Sequence, residues 1–108
     1  MNERDKIRCK IKKAISKQMK EKSLDRYAHY EDLAKDYLSL WDIKNRLIDD
    51  IAERGVSVKW CNGGGQEGHK KNESISELLK VNKQMLTILY DLGIRASDLK
   101  VVDEDDNL

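Results

Sequence analysis

Two stretches of helical periodicity, joined by a glycine-rich connection, constrain this chain more than any other feature. The first runs from about Leu24 to Arg54. Its apolar positions, Tyr27, Tyr30, Ala34, Tyr37, Trp41, Ile48 and Ile51, recur three and four residues apart. The second runs from about Glu73 to Leu92, with Ile75, Leu78, Met85, Leu89 and Leu92 on the same rhythm. Such spacing places apolar side chains along one helical face. The sequence contains no proline, so nothing removes a backbone N–H in mid-helix. At 1.5 Å per residue the first helix would be ~46 Å long and the second only ~30 Å. The expected fold is therefore all-α: a long antiparallel helical hairpin with an elaborated Gly-rich tip, preceded by a basic helix. The shorter helix leaves Tyr27, Tyr30, Leu33, Tyr37 and Trp41 as the expected oligomer interface, so self-assembly is expected.

The ends of these helices carry stop and start signals. Gly55 and Gly93 each follow a helical run, where glycine takes the left-handed C′ position, and Ile94 is placed to pack back. Asn72 is a good N-cap for the second helix, and Ser23 or Asp25 for the first. Within the connection, Val56, Val58 and Trp60 alternate with polar residues, and Asn62 with Gly63-Gly64-Gly65 demands a turn. A small β-hairpin is compatible with this tip, with residues 66–71 as its polar return strand.

Charge divides the 108 residues into three expected parts. Residues 1–22 form a basic arm, with nine Lys/Arg against three acids, a net of +6. Residues 23–98 form the helical oligomerisation core. Residues 99–108 form an acidic tail, expected to be disordered, as blocks of like charge usually are. Ile7, Ile11, Ala14, Ile15 and Met19 give the arm an amphipathic helical pattern. A basic helix of this kind suits a polyanion, so Lys6, Arg8, Lys10, Lys12, Lys13, Lys17 and Lys20 are the candidate DNA-binding residues. Lys59, Trp60, Lys70 and Lys71 at the tip are a secondary candidate, by stacking and phosphate contact. The arm has no Trp or Phe to anchor it in a lipid interface, and no apolar run approaches the ~18 residues of a membrane span.

Catalytic chemistry has little support. His29 and His69 are the only histidines, and Cys9 and Cys61 are far apart with no C-x-x-C pair. Neither a zinc set nor a catalytic constellation is expected, and the cysteines are expected to be reduced. The run from Gly63 to Lys71 lacks the G-x-x-x-x-G-K-[ST] spacing of a phosphate loop, because Asn72 follows the lysines. No cofactor or metal is expected.

The stretch from Tyr30 to Gly55 resembles the central helix of a group of tailed-phage terminase small subunits. In that group a Y-x-x-L-W style helix ends in E-R-G, here Glu53-Arg54-Gly55, followed by a Val-rich stretch and an Asn-Gly turn, here Asn62-Gly63. A Lys-Asn dipeptide, here Lys71-Asn72, opens a helix containing K-x-N-x-Q-M-L, here 80–86, and a Leu-Gly-aliphatic stop closes it, here Leu92-Gly93-Ile94. The resemblance covers residues 24–98. Many relatives have Asn-Pro where this chain has Asn72-Glu73, which leaves the helix start intact. The resemblance implies a non-catalytic, ring-forming subunit that recognises double-stranded viral DNA and directs the large terminase ATPase/nuclease during genome packaging. It implies a phage or prophage gene acting in the bacterial host cytoplasm. The basic arm lies outside the match, so its DNA role rests on charge. Two other readings stay open: a phage or bacterial DNA-binding transcriptional regulator, and a helical protein-interaction adaptor.

Overall fold

A computed structural model describes residues 1–99. The expected acidic tail lies, from Lys100 onward, outside the described residues. In chain order the elements are α1 (Glu3–Glu21), α2 (Ala28–Arg54), β1 (Ser57–Cys61), β2 (Glu67–Lys71), α3 (Glu73–Asp91) and a 3₁₀ turn, Ala96–Leu99.

The structure departs from the expected fold in two ways. The chain is not all-α, because β1 and β2 pair as a two-stranded antiparallel sheet. Nor does a long antiparallel helical hairpin organise it. Among the described residues β1 pairs with β2, and the 3₁₀ turn packs against α1. The residues sort into two compact units, one formed by Met1–Ser39 with the segment from Leu86, the other by Leu40–Met85. Helical periodicity says that a face is buried, not what covers it.

In the first unit the core is Ile15, Met19, Leu38, Ile88, Leu89, Leu92 and Ile94. Ile15 and Met19 of α1 are each only 2% exposed, so α1 is part of a folded body rather than a detachable arm. Asn2 caps α1 by accepting from the Asp5 N–H at 2.8 Å, and Glu3 and Asp5 suit the positive end of its dipole. Its C-terminus closes as a Schellman motif. The Leu24 N–H reaches the Met19 carbonyl at 2.9 Å and the Ser23 N–H reaches that of Lys20 at 3.1 Å. Ser23 holds the left-handed C′ position, with φ of 59°, so it ends α1 instead of capping α2. Gly93 closes α3 in the same way, with the Ile94 N–H bonded to the Leu89 carbonyl and the Ile94 side chain buried.

In the second unit the sheet sets Lys59 opposite His69 and Trp60 opposite Gly68. The Asn62 side chain organises the turn, accepting from the Gly64 and Gln66 N–H groups at 2.9 and 3.2 Å. The Trp60 ring lies so close over Gly68 that a Cβ there would sit 3.0 Å from it. The strands form despite their polar sequence because this turn and ring contact fix their register.

Candidate nucleic-acid interface

Helix geometry sorts the candidate basic residues. At about 100° per residue, Lys6, Lys10, Lys13, Lys17 and Lys20 fall within an arc of about 80° on α1. Ile15 and Met19 lie on the opposite side and are buried. The five lysines therefore form one outward stripe, ~21 Å long from Lys6 to Lys20. All but the half-buried Lys10 are exposed. Lys6, Lys13, Lys17 and Lys20 make no salt bridge among the described residues. Arg8, half-buried, and Lys12, exposed, lie off the stripe, Arg8 closest to the buried side.

The tip residues do not gather into one patch. Side chains alternate across a strand, so Trp60 and Lys70 share one face of the sheet while Lys59 and Lys71 share the other. Lys59 is paired to Glu67 at 2.7 Å, and Lys70 approaches Glu73 at 3.8 Å. Two of the three tip lysines thus have an acidic neighbour. Trp60 is 40% exposed with one side of its ring against Gly68. The tip offers an aromatic surface with little net positive field.

Beneath the sheet lies a polar cluster that joins the end of α2 to the start of α3. Asn72 is 0% exposed. Its Oδ1 accepts from the Ser74 N–H at 3.0 Å and from Arg54 Nη2 at 3.1 Å. Its Nδ2 donates to the Gly55 carbonyl at 2.9 Å and to Asp50 Oδ2 at 3.2 Å. Asp50 also accepts both arms of the Arg54 guanidinium at 2.7 Å and the Ser74 hydroxyl at 2.6 Å. Hydrogen bonds from Arg54 first, then Ser74, hold the Asp50 carboxyl well below the usual carboxylate range, and Asp50 in turn raises Arg54. Both side-chain polar atoms of Asn72 and both oxygens of Asp50 have partners within the cluster, which braces the end of α2 to the start of α3. Of this cluster only the Asn72 cap is plain in the sequence. Asp50 and Arg54, four apart before Gly55, with Asn72-x-Ser74 beyond, are its remaining signal.

Of the expected oligomer-interface residues, Trp41 is buried, and Tyr30, Leu33 and Tyr37 are half-buried. Burial raises the Tyr37 phenol above its ordinary value. Tyr27 alone is open, at 53% exposure, its ring edge-on to Tyr30. The exposed apolar side chains of α3, Leu79, Leu86 and Tyr90, lie off the periodic seam, and the spacing of the seam gives no sign of them.

Cys9 and Cys61 are free and exposed. Among the described residues no group of three or more His, Cys, Asp or Glu is placed to hold a metal ion. No helix of the described residues is long and apolar enough to cross a membrane. No family model, curated protein or solved structure matches the chain.

Proposed function

We propose that this chain is a small terminase subunit: a non-catalytic, DNA-binding homo-oligomer that recognises double-stranded viral DNA and recruits or regulates the large packaging ATPase/nuclease in the host cytoplasm. The observation that carries the DNA-binding part is the lysine stripe on the outer face of α1. An α-helix fits the major groove, and a stripe of ~21 Å spans several phosphates at the ~3.4 Å rise of one strand. The tip is the weaker contact in this reading, since Lys59 and Lys70 already have acidic neighbours. The terminase assignment itself is supported by the order of sequence features in residues 24–98, from Glu53-Arg54-Gly55 through Asn72 to Leu92-Gly93-Ile94. Self-assembly is supported by apolar side chains left open, Tyr27, Leu79, Leu86 and Tyr90. A transcriptional regulator or a protein adaptor is the alternative class.

Deleting α1 would remove Ile15 and Met19 from the core, so charge neutralisation is the cleaner test. We expect Lys6→Gln, Lys13→Gln, Lys17→Gln and Lys20→Gln together to leave the far-ultraviolet circular dichroism unchanged. Duplex-DNA affinity, read by fluorescence anisotropy, should fall at least tenfold. The slope of log K against log salt should flatten by about 0.9 for each phosphate that the variant no longer neutralises. Native mass spectrometry should give one high-order oligomer. An unchanged affinity and slope would move the DNA-binding face away from α1, and a dimer would favour the regulator.

A further inference from the structure

We propose that the turn of the β1–β2 hairpin is a self-modification site, where Asn62 and Gly63 close to a succinimide and the turn's own backbone N–H groups promote the closure. Three observations carry it, independently of whether the chain binds DNA. Asn62 is the only asparagine of the chain followed by glycine, whose amide nitrogen carries no neighbouring side chain to hinder attack on the carboxamide. Gly63 is exposed, a Cβ there would meet nothing within 4 Å, and its N–H makes no hydrogen bond among the described residues. The attacking nitrogen is therefore open and unengaged. Asn62 Oδ1, in turn, accepts from the Gly64 and Gln66 N–H groups at 2.9 and 3.2 Å, while Nδ2 donates to Gln66 Oε1 at 3.1 Å. Two fixed N–H groups aimed at the oxygen where charge builds have the form of an oxyanion hole.

The chemistry needs only water. The Gly63 amide nitrogen gives its proton to hydroxide and bonds to Asn62 Cγ. Charge moves onto Oδ1, which becomes a stronger acceptor than the neutral carboxamide oxygen. The Gly64 and Gln66 N–H groups therefore stabilise the tetrahedral species more than the ground state, and the 3.2 Å bond has room to shorten. The Cγ–Nδ2 bond then breaks, and the nitrogen takes a proton from water and leaves as ammonia, which regenerates hydroxide. Water opens the ring. Opening at Cγ leaves aspartate at position 62. Opening at the main-chain carbonyl leaves an isoaspartyl link, with one more methylene in the main chain. The isoaspartyl product takes out of the main chain the Asn62 carbonyl that accepts from the Gly65 N–H, and sets the Asn62 N–H out of register with the Gln66 carbonyl. The hairpin then loses the turn that holds the Trp60 ring against Gly68.

The test incubates the full chain at mildly alkaline pH, folded and, in parallel, unfolded in guanidinium chloride. Peptide mapping by mass spectrometry follows the replacement of each asparagine carboxamide by a carboxylate. Asn62 should convert before any other asparagine, and at least about threefold faster in the folded chain, a small part of what one oxyanion-hole donor contributes in an enzyme. Gly63→Ala keeps the turn, because Gly63 does not hold a positive φ and the added Cβ meets nothing. With unchanged circular dichroism it should slow the conversion at least about fivefold, since the Cβ crowds the approach of the nitrogen. Tryptophan emission should move to the red as isoaspartate accumulates, reporting on Trp60 because Trp41 is buried. A folded chain that converts no faster than the unfolded one, another asparagine that converts first, full-speed conversion in Gly63→Ala, or an emission that stays constant as isoaspartate accumulates would each overturn the proposal.

Discussion

Asn72 is the position where a single substitution should do most damage for its size. Its side chain is fully buried and uses both its acceptor and its donor ends, on Ser74, Arg54, Gly55 and Asp50. Asn72→Ala removes the N-cap of α3, a loss of about 1 kcal/mol. It also leaves the Gly55 carbonyl without its side-chain donor, at about 1–3 kcal/mol for a buried polar group. Gly55 is only half-buried, so water recovers part of this, and a total of about 2–3 kcal/mol is expected, below the undiscounted upper end. Asn72→Asp separates the two ends. The carboxylate still accepts from Ser74 and Arg54 but cannot donate to Gly55, and it faces the Asp50 carboxylate across the 3.2 Å now spanned by a hydrogen bond. We expect Asp to be no better than Ala at neutral pH, although it is isosteric with Asn and an equally good cap. Urea unfolding followed by circular dichroism gives both values. If Asn72→Asp lies within about 0.5 kcal/mol of wild type, the value typical of indifferent surface changes, the donor end contributes nothing and the reasoning fails.

Two further outcomes are expected. Ser23→Gly relieves a left-handed conformation that costs an L-residue about 1–2 kcal/mol, so it should raise the melting temperature by about 5 °C; no rise would mean that the serine is not strained. Because the Asp50 carboxyl is held below the ordinary carboxylate range, its contribution to stability is full above the unfolded-state value near 4 and is lost as the pH falls through the lower folded value. The stability gap between wild type and Asp50→Asn should therefore narrow from pH 7 toward pH 2 in urea titrations, and a constant gap would refute the linkage.

The legible parts of this fold are those set by neighbours in the chain. Gly55, Gly93 with Ile94, and the Asn72 cap depend on backbone groups a few residues away, and they stand where the sequence places them. Ser23 misleads because its hydroxyl suits an N-cap, whereas the α1 terminus needs a left-handed residue at that step. The partner of each apolar face is not legible. Ile15 and Met19 read as one side of a peripheral arm, yet they are among the least exposed side chains described. The lysine stripe has a regular spacing in the sequence. Its outward direction becomes readable only once the buried side of the same helix is known.

That helix joins two roles on one rigid element. Its inner side chains hold the first unit together, while its outer lysines face solvent. A polyanion that binds only the folded form therefore raises the free energy of unfolding by mass action, by about 2.7 kcal/mol at a hundredfold excess over its Kd. The same linkage runs in reverse. A substitution in the α1 core that never touches a phosphate weakens apparent affinity by lowering the fraction of chains in which the stripe exists.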